Sequence, residues 1–211
     1  MREARFPATF RHPNIPRAVA AFTCEDGQFI VMDFIGGQTA QEWAISHTPS
    51  PAGLILAIEG VFDALIHLHS HRPPVIHRDV EPANIIVMAD MVSILVDFGL
   101  AIVLDESEGD AGPSRGMAAY WSALQQSDWA STDTRSDQYS LAAAIYALIT
   151  HRVPANSLER ALGKGSLPPA RSVNPAIPLN VEAALTRALS IRAEDRYPDI
   201  ATFRHALIGE S

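Results

Sequence analysis

The chain has 211 residues, of which 47% are hydrophobic and 19% charged, with a net charge of −8. These values indicate one ordinary soluble domain with its own core, and the negative charge argues against nucleic-acid or anionic-membrane partners. The single cysteine, Cys24, excludes an internal disulfide bond and favours the reducing cytoplasm. We expect no membrane segment or signal peptide, because the longest apolar run covers only residues 141–149 and no charged-then-apolar leader opens the chain.

Short strands and a helix are predicted in the first fifth of the chain. Residues 19–22 and 29–34 have strand composition, and residues 25–27 (Glu-Asp-Gly) between them are a hairpin turn signal. Two glycines, Gly36 and Gly37, end the second strand. Residues 38–45 are predicted to form a short helix.

A longer helix and a hairpin follow. Residues 51–69 are predicted as one helix that begins at Pro51. Its apolar residues recur at helical spacing: Leu54, Ile58, Val61, Phe62, Leu65 and Leu68. Residues 85–88 and 92–96 are predicted to pair as a hairpin.

The second half of the chain is predicted to be helical. Residues 104–115 are acidic and glycine-rich, which predicts a loop. Ser136 is predicted to cap a helix that runs to Thr150, and residues 178–189 and 197–207 are predicted to form two closing helices. Strands followed mostly by helices indicate an α+β fold.

The residues with the clearest chemical pattern lie in two short segments. Residues 75–86 read Val-Ile-His-Arg-Asp-Val-Glu-Pro-Ala-Asn-Ile-Ile, and Asp97, Phe98 and Gly99 follow a hydrophobic strand. The first segment places an Asp and an Asn five residues apart on one tight loop. Phosphoryl transfer needs one carboxylate to orient an attacking hydroxyl, and an Asn and an Asp to hold Mg²⁺ against nucleotide phosphates. The alternative is a surface turn in which these side chains only cap backbone groups.

With these motifs in this order and spacing, the chain resembles the catalytic large lobe of eukaryotic-type Ser/Thr protein kinases of the bacterial style. The resemblance implies a protein-kinase-like fold, with a mostly helical large lobe in residues 36–208. Residues 1–35 would be a remnant of the small-lobe sheet (strands 4 and 5) with the hinge, and residues 12–15 would lead into that sheet. It also implies ATP and Mg²⁺ as cofactors and a protein substrate phosphorylated on Ser or Thr.

The resemblance assigns catalytic and metal-binding roles to three residues. Asp79 matches the catalytic base. Asn84 and Asp97 match the two metal-binding positions, and Asp97 also belongs to the nucleotide site. Carboxylate and amide oxygens suit a hard cation such as Mg²⁺.

The adenine site is implied on the hinge. Met32 matches the gatekeeper residue, and the backbone of Asp33 and Ile35 would form hydrogen bonds to adenine. Ile86 would form the floor of the site.

Other positions match structural or regulatory residues of the family. His77 would pack under the catalytic loop, Phe98 into the core, and Gly99 would permit the turn after Asp97. Arg78 either neutralises a phosphorylated activation loop or is a structural ion-pair partner. Asp137 matches the buried anchor of the catalytic loop, although it is also compatible with a helix N-terminal charge.

The resemblance covers only part of a kinase, so we expect an N-terminally truncated chain. No GxGxxG occurs, and the only lysine, Lys164, lies far downstream of the expected strand lysine. We therefore expect little phosphotransfer from this chain alone. Two further readings stay open: a catalytically impaired pseudokinase that acts as a scaffold or regulatory module, and a non-functional gene fragment.

Three departures inside the matched region bear on those readings. Glu81 stands where the family has a Lys, Met117 where it has a Thr, and Leu124 where it has a Glu. That Glu normally pairs with a buried Arg, matched here by Arg196. We expect Arg196 to find solvent, another acid or a shifted loop.

Two apparent motifs are set aside. His67, His69 and His71 alternate at a helix end, so the middle one points away from the others and a metal site is not predicted. The Gly-Lys-Gly at residues 163–165 lacks the other residues of a phosphate-binding loop.

Overall fold

The computed structural model describes residues 11–24, 27–104, 120 and 132–209. Within these ranges small β-sheets, whose strands lie before and after the first three helices, accompany a larger helical body, which confirms the predicted α+β class. The loop predicted for residues 104–115 lies outside the described residues except for Leu104.

An antiparallel hairpin comes first, formed by strands β1 (Ala18–Cys24) and β2 (Gly27–Met32). Phe22 lies opposite Phe29, and their rings stack with centroids 5.5 Å apart. Both predicted strands are present, but the second begins and ends two residues earlier than predicted. The first two residues of the predicted turn lie outside the described residues.

This hairpin is an isolated sheet. Neither strand pairs with any other strand among the described residues. Its exposed apolar side chains are Val19, Phe22, Phe29 and Val31. Exposed apolar side chains that lie together on a small sheet favour association with other polypeptide segments.

Strand β3 (Gln38–Thr39) and helix α1 (Ala40–His47) replace the single helix predicted for residues 38–45. Thr39 ends the strand and caps the helix. Its hydroxyl accepts a hydrogen bond from the Glu42 N–H, and the Glu42 carboxylate accepts one from the Thr39 N–H. This capping box sets the start of the helix at Ala40.

The prediction of one helix over residues 51–69 was wrong. The chain forms α2 (Pro51–Ala57) and α3 (Glu59–Ser70), which meet at a bend of 45°. The apolar periodicity continues through the bend, and all six predicted apolar residues are buried. In the described part of the chain no single helix is long and apolar enough to cross a membrane; only this bent pair, taken together, has the length and composition.

The first turn of α3 packs unusually closely against its neighbours. A Cβ on Gly60 would lie 2.1 Å from Asn14 Nδ2 and 2.7 Å from the Ser93 carbonyl oxygen. Asn14 Nδ2 also donates to that same oxygen at 2.8 Å. The bend thus allows α3 to begin in direct contact with the turn at residues 12–15. The spacing of apolar residues along the sequence does not indicate this contact.

Short strands frame the loops of interest. β5 (Ile85–Val87) lies between β3 and β6 (Ser93–Leu95), so the hairpin predicted for residues 85–96 is confirmed. β4 (Val75–Ile76) pairs with β7 (Ile102–Val103) in a separate two-stranded sheet.

Helix α4 (Thr134–Thr150) runs through the centre of the helical body. Every residue from Ser136 to Thr150 is buried. The predicted cap at Ser136 was wrong: Asp133 is the N-cap, and its carboxylate accepts a hydrogen bond from the Arg135 N–H at 2.9 Å. The helix therefore begins earlier than predicted, and Ser136 is a buried residue within it.

Further helical segments complete the body, two of which the sequence did not predict. The unpredicted helices are α5 (Ser157–Ala161) and α6 (Ala170–Val173). The predicted closing helices are α7 (Leu179–Ala188) and α8 (Ile200–Ile208), with a 3₁₀ turn at Ala193–Asp195 between them. α8 begins later than predicted because the Asp199 carboxylate caps it, accepting from the Thr202 N–H at 2.7 Å.

The last helix packs against α3 through both apolar and charged contacts. The rings of Phe62 and Phe203 lie 5.8 Å apart in the core. At the rim, the Arg204 guanidinium pairs with the carboxylates of Glu59 and Asp63. These contacts join α8 to the helix that leads toward β4 and the segment with Asp79.

Candidate active site

The loop that carries Asp79 is held between two strands. β4 leads into residues 77–81, and a 3₁₀ turn (Pro82–Asn84) leads out into β5. Pro82 stands at the first position of that turn, where its fixed φ is favourable and its missing N–H is not needed. The loop is therefore short and tightly constrained at both ends.

Asp79 and Asn84, five residues apart in sequence, are in direct contact. Asn84 Nδ2 donates to Asp79 Oδ2 and to the Asp79 carbonyl oxygen, both at 2.9 Å. Asp79 is buried, with 8% of its surface exposed, and its N–H donates to His77 Nδ1 at 3.3 Å. The amide thus fixes the orientation of the carboxylate from the opposite side of the loop.

Asp97 lies two residues beyond the end of β6, close to Asn84 along the paired strands. The Val96 N–H donates to the Asn84 carbonyl oxygen at 2.9 Å, which places Asp97 one residue beyond that pairing. Asp97 has a positive φ of 62°, and its Oδ1 accepts from the Gly99 N–H at 3.1 Å. The turn leaves Asp97 exposed.

The donor set of this region suits Mg²⁺. Since Asn84 uses its side-chain nitrogen on Asp79, its amide oxygen is the atom left for a cation. Asp97 adds an exposed carboxylate. Oxygen ligands from one or two side chains, completed by water and substrate phosphates, are typical of Mg²⁺ sites. Among the described residues, no group of three His, Cys, Asp or Glu side chains could hold a metal ion.

Asp137 reaches the catalytic loop from the first turn of α4. The side chain is fully buried, and its Oδ2 and Oδ1 accept from the backbone N–H groups of His77 (2.9 Å) and Arg78 (2.8 Å). His69 Nε2 lies 2.8 Å from Oδ2. Burial alone would raise the pKa of Asp137, but the hydrogen bond and charge of His69, with those of His77, lower it below the ordinary value.

His77, Arg78 and Phe98 form the buried underside of the loop. The His77 ring meets the Phe98 ring edge-on at 4.8 Å, and both are buried. Burial lowers the pKa of His77, against the opposing charges of Asp137 and Asp97. Arg78 is buried with a positive φ of 65°, and its Nε donates to the Leu100 carbonyl oxygen at 2.6 Å.

The residues implied in adenine binding lie on β2, on the segment that follows it and on β5. Met32 ends β2 and is half-buried, as are Ile35 and, in β5, Ile86. The Asp33 N–H donates to the Arg17 carbonyl oxygen at 2.9 Å, and its carboxylate pairs with the exposed Arg17 guanidinium. An adenine contact from Asp33 would therefore use its carbonyl oxygen.

Glu81 lies between Asp79 and the 3₁₀ turn. It is half-buried, and its carbonyl oxygen accepts from the Asn84 N–H at 3.0 Å. The pKa of the buried Tyr120 is raised by burial and further by the negative charge of Glu81. The charge that replaces the family Lys thus lies inside the loop region. Met117 and Leu124 lie outside the described residues.

Within the part of the chain that the structure describes, Arg196 has neither the solvent exposure nor the acidic partner that we expected. It is 2% exposed, and its guanidinium donates to three backbone carbonyl oxygens: those of Ser190 (2.9 Å), Arg135 (2.8 Å) and Ile191 (3.0 Å). It also lies over the Tyr139 ring, 4.9 Å from the centroid. Burial lowers the pKa of Arg196 to about 10. Carbonyl dipoles and an aromatic face take over the role of the family carboxylate here.

The middle one of the three alternating histidines lies in a different environment from the other two. His69 contacts Asp137 as described, a link that sequence reasoning missed because the two residues are 68 positions apart. The His67 ring meets the His71 ring edge-on at 4.7 Å and stacks on His12 at 4.8 Å. In the other segment set aside, the Lys164 N–H donates to the Glu159 carbonyl oxygen and closes the end of α5.

Comparisons with known proteins show to which family the chain is similar. A family model described as protein kinase domain matches residues 1–167. Serine/threonine-protein kinase Pkn1 of Myxococcus xanthus is 34% identical over 97% of this chain and 31% of its own length. Serine/threonine-protein kinase PknB of Mycobacterium leprae is 32% identical over 98% of this chain and 35% of its own length. The chain thus spans about a third of the length of these relatives.

A solved structure shares the fold. The structure titled PpkA-294 apo form matches with a TM-score of 0.75 and 21% identity, over 95% of this chain and 70% of that one. The likeness supports the kinase fold independently of the motifs. By the family model, the relatives and the fold together, this chain belongs to the protein kinase domain family and is similar to bacterial Ser/Thr protein kinases.

Proposed function

We propose that this chain carries the catalytic-loop and metal-binding part of a Ser/Thr protein kinase that transfers the γ-phosphoryl group of ATP to Ser or Thr hydroxyls of a protein. The observation that carries the proposal is the contact of Asn84 with Asp79. One amide fixes the carboxylate with its nitrogen and keeps its oxygen for a cation. An Asn that only caps backbone groups of a surface turn would not need to orient a carboxylate and also offer its oxygen to a cation.

The roles of the residues follow from their positions. Asp79 would orient the substrate hydroxyl and accept its proton as the new oxygen–phosphorus bond forms and ADP leaves. Asn84 and Asp97 would hold Mg²⁺. When bound, Mg²⁺ supplies charge neutralisation to the phosphate oxygens. The protein adds positioning and a preorganised electrostatic environment, which provide most of the catalysis in this reaction.

Family membership adds the general chemistry, since protein kinases use ATP and Mg²⁺ and act on proteins. The adenine site at Met32, Asp33, Ile35 and Ile86 is part of the proposal, as is the lobe boundary at residue 35. The cytoplasmic location inferred from the single cysteine remains a prediction.

The 211 residues contain no GxGxxG and no lysine other than Lys164. A phosphate-covering loop and a strand lysine are parts of the phosphoryl-transfer machinery in this family. We therefore expect these residues, assayed alone, to transfer phosphate slowly. The assay belongs in the full-length gene product.

Glu81 supports a second candidate function. Its negative charge lies two residues from Asp79, where the family places a positive one near the γ-phosphate. Repulsion between like charges about 4 Å apart is about 1–4 kcal/mol, depending on the local dielectric. A scaffold or regulatory module with impaired catalysis would tolerate this charge.

The experiment measures transfer of ³²P from [γ-³²P]ATP to myelin basic protein, together with Mg-ATP binding by calorimetry. Asp79→Asn should lower kcat about 100-fold or more, and it should leave the affinity for Mg-ATP within about threefold, because Asp79 does not hold the metal. Asp97→Asn should weaken Mg-ATP binding. Asp63→Asn is the matched control, since Asp63 pairs with Arg204 away from the loop.

Equal transfer by wild type and Asp79→Asn would overturn the catalytic assignment. Absence of transfer by the wild-type gene product, despite a folded protein, would favour the scaffold function.

A further inference from the structure

A stack of imidazole rings joins the turn at residues 12–15 to helix α3. The rings of His12 and His67 stack with centroids 4.8 Å apart and an angle of 23° between their planes. The His71 ring meets the His67 ring edge-on at 4.7 Å. All three residues are half-buried. Because imidazole is the side chain whose ordinary pKa allows a change of charge between pH 5 and 8, we asked what a proton would do to this contact.

Hydrogen bonds define where the protons lie on two of these rings. The Asn14 N–H donates to His12 Nδ1 at 3.3 Å, so that nitrogen must keep its lone pair. His71 Nδ1 lies 2.9 Å from the His67 carbonyl oxygen and must carry a proton. His12 is therefore neutral in this arrangement, with its proton on Nε2. A proton gained at Nδ1 would remove the acceptor of the Asn14 N–H.

Asn14 also ties the turn to the large helical body. Its Nδ2 donates to the Ser93 carbonyl oxygen at 2.8 Å, and its own carbonyl oxygen accepts from the Leu95 N–H at 2.9 Å. It is also the residue against which Gly60 packs at the start of α3. The ring of His12 thus contacts the residue that holds the turn against β6 and α3.

A cavity beside His12 is lined by two arginines. Arg11 and Arg17 line it together with His12 and Ile15, and its volume is about 350 Å³. The guanidinium of Arg17 pairs with the Asp33 carboxylate at 3.0 Å. A proton gained by His12 would add a third positive charge to this cavity.

An acidic residue on α3 acts in the opposite direction. Asp63 raises the pKa of His12, but burial lowers it by more. The Asp63 carboxylate also pairs with the Arg204 guanidinium of α8 at 2.8 Å, so its charge is shared with another cation. On the other side of the stack, burial lowers the pKa of His67, and the positive charges of His12 and His71 lower it further.

We propose that the stacked rings of His12 and His67 form a pH-dependent contact between the turn at residues 12–15 and α3, in which neutral rings hold the turn against the helix and acid releases it. Two charged rings at this distance repel each other, and the Asn14 N–H loses its acceptor. The released rings face water and bind protons more readily than the stacked rings. The stacked state is therefore fully stable above about pH 6.5 and loses stability as the pH falls.

The turn leads directly into the hairpin that carries part of the adenine site. Arg17 precedes β1, and its carbonyl oxygen accepts from the Asp33 N–H at 2.9 Å at the base of the hairpin. Met32 ends β2 at the same place. Release of the turn frees this base, so Mg-ATP binding weakens in acid. This consequence, unlike the contact itself, rests on the proposed function.

The test compares the unsubstituted protein with His67→Phe, whose ring can still stack on His12 but cannot gain a proton. His205→Phe is the control, because His205 is exposed on α8. Amide hydrogen exchange is read by ¹⁵N NMR and corrected for the intrinsic pH dependence of exchange. The reporters are the Ile15 N–H, which donates to the His12 carbonyl oxygen at 3.2 Å, and the Leu95 N–H, which donates across to the turn.

In the unsubstituted protein, protection of the Ile15 and Leu95 amides should decrease about tenfold from pH 7.5 to 5.5, relative to core amides of α4. In His67→Phe the decrease should be about threefold or less, because one of the two titrating rings is gone. His205→Phe should behave as the unsubstituted protein. Equal protection at both pH values would overturn the proposal, as would an undiminished pH dependence in His67→Phe.

A titration of the unsubstituted protein does not depend on the folding of a variant. ¹H–¹³C spectra of the imidazole rings follow the protonation of each histidine, and long-range ¹H–¹⁵N spectra report which nitrogen carries the proton. Protonation of His12 and His67 at lower pH than in the urea-unfolded protein, with the His12 proton on Nε2 at neutral pH, supports the proposal. Protonation of both rings at the same pH in the folded and unfolded protein overturns it.

Failure of the contact and failure of the proposed function give different results. If the exchange results hold while Asp79→Asn has no effect on phosphate transfer, the proposed function fails and the pH-dependent contact stands. If Asp79→Asn abolishes transfer while protection of Ile15 and Leu95 is the same at both pH values, the contact fails and the proposed function stands. Calorimetry of Mg-ATP binding at both pH values completes the test: the loss of affinity in acid should be smaller in His67→Phe, and an equal loss would overturn the link to the adenine site.

Discussion

Replacement of Asp137 by Asn tests how strongly the catalytic loop depends on one buried carboxylate. Asp137 is fully buried and accepts from two backbone N–H groups and from His69. The Asn side chain keeps one accepting oxygen, but its NH₂ group would face a donor on the other side. One N–H is then left without an acceptor, and His69 loses its charged partner.

The expected cost follows from these contacts. A hydrogen bond to a charged group contributes about 1.5–3 kcal/mol, and loss of one partner from a buried ionic arrangement costs about 3–5 kcal/mol. We therefore expect Asp137→Asn to lower the free energy of unfolding by about 3–5 kcal/mol. For a domain whose total stability is about 5–15 kcal/mol, that is a large share.

The assay is urea unfolding followed by circular dichroism, with the midpoint and the m-value fitted separately. Asp63→Asn is the matched control: it also removes a charge paired with a cation, but its side chain is 46% exposed. An exposed pair contributes about 1 kcal/mol or less. The reasoning is refuted if Asp137→Asn is no more destabilising than Asp63→Asn at the same m-value.

Three other perturbations have definite directions. Gly60→Ala should destabilise the protein by about 1–3 kcal/mol in urea unfolding, because the new Cβ would lie 2.1 Å from Asn14 Nδ2. Gly53→Ala is the control and should be near neutral, because the nearest atom to its Cβ would lie 3.3 Å away. Glu81→Lys should raise kcat/KM for ATP about fivefold or more, equivalent to about 1 kcal/mol of relieved repulsion; an unchanged value would show that this charge does not act on the phosphates. Burial lowers the pKa of His12 and of His67 below 6.5, so the unfolded state binds protons more readily than the folded state. The contribution of these two histidines to the free energy of unfolding should therefore be fully present above about pH 6.5 and decrease below it. Unfolding midpoints at about pH 7.5 and 5.5 check this, and the double Gln variant should flatten the profile.

Local patterns predicted most elements correctly. The β5–β6 hairpin and helices α7 and α8 lie where alternation, turn signals and helical spacing placed them. The same reasoning was wrong over residues 51–69, because an apolar stripe continues across the bend between α2 and α3. It was also wrong at Ser136, because a serine can either cap a helix or lie buried within one, and the local sequence does not distinguish the two.

Local sequence patterns likewise indicated some residues of the candidate site and missed the contacts of others. Asp79, Asn84 and Asp97 could be named as candidates from two motifs because each motif is contiguous in sequence. The partner of Asp137 could not, since His69 lies 68 residues away and stood in an alternation that resembled a metal cluster. Likewise, nothing in the sequence indicates that backbone carbonyl oxygens would surround Arg196.

The sequence by itself determined which residues are candidates for phosphoryl-transfer chemistry and in what order they occur, because that information is in residue type and short spacing. Only the tertiary structure decided how those residues are held. Burial and the directions of backbone N–H and carbonyl groups depend on segments far apart in the chain. As a result, the Asp137 carboxylate accepts hydrogen bonds from the N–H groups of His77 and Arg78 and from the His69 ring. The cost of leaving a buried polar group unsatisfied is a property of the folded environment, so it cannot be read from any single segment.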